Sequence, residues 1–307
     1  MMELHGPSRT TLERLRAQGL DPAYVDKVVR DTISEDLDGG IDVTSVATVP
    51  IEQRSIATFG SRAVGCLSGL DVAAAVVETV CGPAAAEFER IRQDGDRVAP
   101  GDVLARVTAP TQLLLTAERT ALNLMCHLSG IATITSKWVD AVEGTGAIIR
   151  DTRKTTPGLR ILEKYAVRCG GGQNHRMSLS DAALVKDNHI VAAGGVEQAF
   201  ALVRRTAAGL PIEIEVDTIE QLRTALRAGA DVVLLDNMPP AVMREAVALA
   251  AAHEVEFRRP VLLEASGGLT LEKAREVAGT GVHFISVGGL THSAPILDIG
   301  LDLQTVV

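Results

Sequence analysis

The chain has 307 residues, room for one large domain or two of medium size. Apolar residues make up 46% and aromatic residues only 3%, so a core must be built from Ala, Val, Leu and Ile. The net charge of −9 argues against nucleic-acid binding as the main task. No stretch approaches the ~20 apolar residues that a membrane span needs.

The N-terminus, "MMELHGPSRTTLERLRAQGL", has no apolar run of the signal-peptide kind. Cys66, Cys81, Cys126 and Cys169 form no CxxC pair and no zinc-type spacing. They read as reduced and mostly buried, and the protein as soluble and cytoplasmic.

"TLERLRAQGL" and "AYVDKVVRDTISEDL" carry helical apolar spacing, which "LDGGIDVTS" interrupts. Short strand candidates follow: "SIATFG", "AVGCLSG", "AEFERIR" and "VLARVTAP", with a helix near 71–81 among them. The turn signals "CGP", "DGD" and "APGD" separate them, and the mixture predicts a small α+β layer. A long helix is expected over 111–129, apolar on nearly every face and therefore buried. Arg119 shares the stripe of Leu115 and Leu122. A buried guanidinium needs an anionic or hydrogen-bonding partner, either within the protein or on a ligand.

Beyond residue 147, strand candidates alternate with helical segments: "AIIRD", "AALVK", "IEIEV", "VVLLD", "VLLEA" and "FISVG". Such alternation predicts parallel strands joined by crossovers. Six strands are fewer than a full barrel holds, so an incomplete barrel and a doubly wound open sheet both remain. The second is weakened because no GxGxxG follows a first strand.

The strand ends carry Lys154, Lys186, Glu215, Asp236, Ser266 and Gly288, each about one βα unit from the next. In a barrel these positions converge on one mouth. From Arg150 to His189 there are eight Lys/Arg against four Asp/Glu, a basic island in an acidic chain. Arg153, Lys154, Lys186 and the neighbouring Arg176 can neutralise carboxylates or phosphates. His175 is either a structural histidine or a further ligand contact. Glu215 and Asp236 offer oxygen ligands for magnesium, or salt-bridge partners for the lysines. "EASGGLT" and "SVGGLTHS" place glycine turns after the last two strands, where barrels bind phosphate.

The motifs "EDLDGGIDVTS", "LTAERTALNLMCHLSGIAT", "RDTRKTTPGLR", "EKYAVRCGGGQNHRMSLSDAALVKDNHI", "IEIEVDT", "LLDNM", "LEASGGLT" and "GLTHSAPILDIGLD" are together similar to the quinolinate phosphoribosyltransferase family. The resemblance implies an N-terminal α/β sandwich over 1–129, to which the tail 292–307 returns. It implies an irregular, incomplete TIM-like α/β barrel over 130–291. The implied reaction joins quinolinate to phosphoribosyl pyrophosphate with magnesium, releasing pyrophosphate and CO2 in NAD synthesis. The resemblance assigns quinolinate to Arg119, Arg153, His175 and Arg176, with Arg119 supplied by the partner of a homodimer or higher multiple. Lys154, Lys186, Glu215 and Asp236 become the catalytic set, the two acids facing ribose and magnesium-pyrophosphate. Ser266, Gly267, Gly268, Gly288 and Gly289 hold the 5-phosphate, and Thr155 and Val287 are further substrate-binding residues. Two other readings stay open. One is a Schiff-base barrel lyase using Lys186 or Lys154; the other is a silent relative that only binds a phosphorylated ligand.

Overall fold

The computed structural model describes residues 3–207 and 209–305, which divide into two compact units. Of the described residues, the first comprises those within 3–134, 156–171 and 293–305; the second comprises those within 135–155, 172–207 and 209–292.

The first unit begins with helices α1 (Arg9–Ala17), α2 (Pro22–Leu37) and α3 (Val43–Thr48). Each starts where a short polar side chain takes up free amides. Ser8 accepts from the Thr11 amide, Asp21 from that of Ala23, and Asp42 from those of Thr44 and Ser45. Helix α3 was not expected, because "LDGGIDVTS" reads as a break; the Asp42 cap starts a new helix directly after it.

Strand β1 (Arg54–Ser61) alternates buried and more exposed residues, as a half-buried strand should. Next come β2 (Gly65–Cys66), helix α4 (Leu70–Cys81), β3 (Glu87–Arg90), β4 (Arg97–Val98) and β5 (Val103–Pro110). The C-terminal strand β12 (Ile299–Thr305) lies antiparallel to β1, which gives a four-stranded sheet in the order β12-β1-β5-β3. Every residue of α4 is buried, which explains its run of Val and Ala. Its one buried acid near the start, Asp71, is held by Arg14 at 2.9 Å, Arg90 at 2.5 Å and Gln18 at 2.7 Å.

The long helix α5 runs from Thr111 to Ala141, beyond the expected end at 129. Gly130 does not stop it. At that point the helix meets the returning tail, and a Cβ would strike the Pro295 carbonyl oxygen and approach the Ile296 Cα to 2.9 Å. Helix α6 (Arg160–Cys169) also belongs to this unit, and Tyr165 donates to Asp94 at 2.6 Å.

The second unit is built on six parallel strands: β6 (Ile148–Arg150), β7 (Ala183–Val185), β8 (Ile212–Val216), β9 (Val232–Asp236), β10 (Leu262–Ser266) and β11 (Phe284–Ser286). Their order is β6-β11-β10-β9-β8-β7. The last strand therefore pairs with the first, and each of the others pairs with its neighbour in sequence. That is the winding of a barrel left open between β6 and β7, and it excludes the doubly wound sheet, whose order reverses in the middle. At the open side Gln173 bridges to Arg150 in parallel fashion. The connecting helices are α7 (Asp187–Ala193), α8 (Val196–Thr206), α9 (Ile219–Ala228), α10 (Pro240–Phe257), α11 (Ala274–Ala278) and α12 (Gly289–His292). Helix α7 follows β7 almost directly, and between β10 and β11 the chain forms only a 3-10 turn, Leu271–Lys273, followed by the short α11.

Among the described residues, no helix is long and apolar enough to cross a membrane.

Candidate active site

Parallel pairing aligns the strand ends of the second unit. Ser266 is the partner of Asp236, Leu234 that of Glu215, and Ser286 that of Arg150. Strand side chains alternate, so Glu213 and Glu215 share one face of β8, as Glu264 and Ser266 share one face of β10. Each of these strands thus offers a rim residue and a deeper carboxylate.

A cavity of about 580 Å³ opens at these ends. Arg153, Lys154, His175, Arg176 and Lys186 line it together with Glu215, Asp236, Ser266, Gly267 and Gly268. Thr152, Leu184, Leu234, Asn237, Glu264 and Ser286, none of them singled out from the sequence, complete the lining.

Local structure fixes the bases. The Lys186 amide donates to His189 Nδ1 at 3.0 Å, anchoring that lysine at the start of α7. Thr291 Oγ1 donates to the Lys154 carbonyl at 2.7 Å. The Lys154 stem also runs past Gly288, where a Cβ would come within 3.0 Å of its Cδ. Arg176 donates through Nη1 to the Ala182 carbonyl at 2.9 Å. Burial, and then the nearby Arg153, pull the Arg176 pKa below the usual guanidinium value. Arg153 Nε is buried with no hydrogen-bond partner. Two guanidinium groups that repel each other in a partly dry cleft form a site waiting for an anion.

The acids lie opposite. Burial raises the Glu215 pKa, Lys186 opposes the rise, and Asp236 adds to it. Two carboxylates close enough to repel each other, with hard oxygen donors, fit a divalent cation such as magnesium. The glycine turn beside them has Gly267 at φ +90° and Gly268 at φ +57°, a backbone that L side chains rarely adopt.

Beneath the rim lies a charged layer that the strand-end reading missed. Arg150 Nη1 meets Glu264 Oε2 at 3.0 Å, and its guanidinium covers the Phe284 ring, 3.3 Å from the centroid. Ser286 donates to Glu264 Oε1. His175 Nε2 reaches Glu213 Oε2 at 2.9 Å and Glu264 Oε1 at 3.4 Å. The Asp151 carboxylate holds this loop through the His175 amide at 2.8 Å and the Asn174 side chain at 2.6 Å. The signal was present in "IEIEV" and "VLLEA": an acid inside an apolar strand, two residues before a rim residue, faces the same interior.

Arg119 stands on α5 in the first unit and does not line this cleft. Its expected burial is not seen. Most of α5 is buried, but the residue is exposed on the face that also leaves Asn123 open. With Arg62, Glu118, Asn123 and Asp298 it lines a separate cavity of about 360 Å³. Thr155, Val287, Gly288 and Gly289 adjoin the cleft in sequence without lining it.

The fold and the cleft together define a barrel-type enzyme for multiply anionic, phosphorylated substrates. The chain matches the quinolinate phosphoribosyl transferase N-terminal domain over residues 42–129 and the C-terminal domain over 131–302. It is 51% identical over 276 residues to a nicotinate-nucleotide pyrophosphorylase [carboxylating] of Mycobacterium leprae, covering 90% of this chain and 95% of that one. A quinolinate phosphoribosyltransferase [decarboxylating] of Nicotiana tabacum is 37% identical, with 92% of this chain and 84% of that one covered. The crystal structure of NadC from Streptococcus pyogenes superimposes with a TM-score of 0.87 at 35% identity, covering 94% of this chain and 99% of that one. The chain belongs to the quinolinate phosphoribosyl transferase family.

Proposed function

We propose that the chain transfers the phosphoribosyl group of phosphoribosyl pyrophosphate to the ring nitrogen of quinolinate. The C2 carboxylate then leaves as CO2, giving nicotinate mononucleotide and pyrophosphate for NAD synthesis. The observation that carries this reading is the convergence of Arg153, Lys154, Arg176 and Lys186 on one cleft with two acids and a glycine turn.

Quinolinate is a dianion and its co-substrate is more negative still. Bringing them together requires fixed cations, and guanidinium groups grip carboxylates through paired hydrogen bonds. Arg153, Arg176 and His175 serve the dicarboxylate, joined by Arg119 of a second copy in a homodimer or a multiple of one. Lys154 and Lys186 face the phosphoribosyl substrate. The Ser266–Gly268 turn, with Val287, Gly288 and Gly289, receives the 5-phosphate, where glycines let amides approach an anion. Thr155 adds a hydroxyl beside Lys154.

Glu215 and Asp236 are the residues that would hold magnesium, which when bound neutralises charge on the pyrophosphate. The lysines stabilise the same departing charge from the protein side as the ribose carbon becomes electron-poor. Attack by the pyridine nitrogen makes a pyridinium; the C2–carboxylate bond then breaks as CO2 departs, and the electron pair left on C2, stabilised by the adjacent positive nitrogen, takes a proton from solvent. The protein's share is positioning and electrostatics, and no covalent nucleophile is called on. Cys66, Cys81, Cys126 and Cys169 form no disulfide among the described residues, which supports a cytoplasmic setting.

The test is incubation with quinolinate, phosphoribosyl pyrophosphate and magnesium, following nicotinate mononucleotide and CO2 together. Equal amounts of both are expected. Folded protein that forms neither would overturn the reading. A borohydride-trapped adduct on Lys154 or Lys186 would replace it with the lyase reading.

A further inference from the structure

We propose that Asn237 is a positioning residue: its side chain locks the Asp236 carboxylate to the Ser266–Gly268 turn, so that the cation site and the phosphate site form one rigid unit. This rests on the functional reading above, in which those two places receive magnesium-pyrophosphate and the 5-phosphate.

Asn237 follows the last residue of β9 and lines the cleft. Its φ is +53°, in the left-handed region that asparagine tolerates better than most residues. That conformation turns the side chain back on its neighbours. Nδ2 donates to Asp236 Oδ2 at 2.7 Å, leaving Oδ1 for a ligand. The Asn237 amide donates to the Ser266 carbonyl at 2.9 Å, which ties the end of β9 to the end of β10.

The third contact is steric. A Cβ on Gly267 would collide with Asn237 Oδ1, sit 2.5 Å from its Cγ and 2.9 Å from its backbone nitrogen. Asn237 thus fills the space behind the turn, and Gly267 must be glycine both for its φ of +90° and for this neighbour. One amide side chain touches the acid and the glycine turn at once.

The competing account is that asparagine is there only to supply the left-handed turn. Asn237→Gly separates the two, because glycine adopts this backbone freely and lacks the side chain. Calorimetric binding of phosphoribosyl pyrophosphate with magnesium reads the effect without turnover, and quinolinate binding alone serves as the control. Asn237→Gly is expected to weaken phosphoribosyl pyrophosphate binding about tenfold, the loss of one charge-assisted hydrogen bond, and to raise the magnesium needed for half-saturation. Quinolinate binding and the thermal midpoint stay as in the wild type. Gly267→Ala weakens the same binding, and the double variant binds better than the product of the two losses predicts.

Unchanged binding in Asn237→Gly would overturn the inference in favour of a backbone role. Equal weakening of both ligands with a lowered midpoint would overturn it in favour of a general structural one. If the wild type binds phosphoribosyl pyrophosphate with magnesium but makes no nicotinate mononucleotide, the reaction assignment fails while Asn237 is still judged by these constants. Wild-type protein that does not bind phosphoribosyl pyrophosphate would sink both.

Discussion

His175 Nε2 lies 2.9 Å from Glu213 Oε2, beneath the rim of the cleft. Burial opposes a charge on this ring, but its hydrogen bonds to Glu213 and Glu264 outweigh burial and push its pKa up to about 9. The Arg176 amide points at His175 Nδ1 from 2.7 Å, which favours the neutral ring. One such contact is worth about 1 kcal/mol, less than two buried carboxylates contribute, so the imidazolium prevails. The folded pKa is raised above the ordinary 6.5, so this stabilisation is complete below pH 6.5 and is lost as pH rises through about 9. The difference in urea midpoint between wild type and Glu213→Gln should shrink over that window. A difference that is flat from pH 6 to 10 would show that His175 does not carry the extra proton.

Arg153 and Arg176 are expected to act on quinolinate rather than on turnover. Truncating either to Ala removes charge-assisted hydrogen bonds worth about 1.5–3 kcal/mol, which corresponds to roughly a tenfold to hundredfold rise in KM for quinolinate. Because burial and then the nearby Arg153 disfavour the charge on Arg176, Arg153→Ala should gain slightly in thermal stability. A KM unchanged in both variants would remove the arginines from the dicarboxylate site.

The rim of this site is legible in the sequence and the layer beneath it is not. Lys186, Glu215, Asp236 and Ser266 fall at or next to strand ends, where a single strand's pattern already marks its last polar residue, and Lys154 follows four residues after the end of β6. Glu213 and Glu264 lie within apolar runs, and their meaning depends on which face each strand turns inward. Only the pairing of β8, β9 and β10 settles that. Asn237 was hidden for another reason: its contacts with Asp236 and Gly267 come from a positive φ, which no spacing reveals. Helix α3 escaped because a glycine pair reads as a break, whereas Asp42 caps a new helix directly after it. Arg119 misled through composition, since an apolar helix implies burial but not on every face.

Glu215 and Asp236 should set the demand for magnesium. Asp236→Asn and Glu215→Gln keep size and remove one charge each, and both should raise the magnesium concentration for half-maximal rate. Burial is the main reason that the Glu215 pKa is raised, and Glu215→Gln should also remove the repulsion with Asp236 that adds to it. Magnesium dependence equal to wild type in both variants would take the carboxylates out of the metal's surroundings.

Gly130 carries a prediction about the fold alone. A Cβ there is driven into the backbone of Pro295 and Ile296, atoms that cannot rotate away. Gly130→Ala should cost about 1–3 kcal/mol, in the range of overpacking, despite the better helix propensity of alanine. Chemical denaturation measures it. A neutral or stabilising result would mean that the tail before β12 yields easily.

Arg119 tests whether the site is shared between copies. It is exposed on α5 beside Arg62, Glu118 and Asp298 rather than in the cleft of Lys186. Arg119→Ala and Lys186→Ala should each abolish most activity when alone. If Arg119 serves the cleft of a second copy, a mixed dimer rebuilds one intact site from the Lys186 of one subunit and the Arg119 of the other. Random pairing of the two variants should then return about a quarter of the wild-type rate. If Arg119 acts within its own chain, every subunit in the mixture is defective and nothing returns. Activity of Arg119→Ala alone near the wild-type level would remove the residue from quinolinate capture altogether.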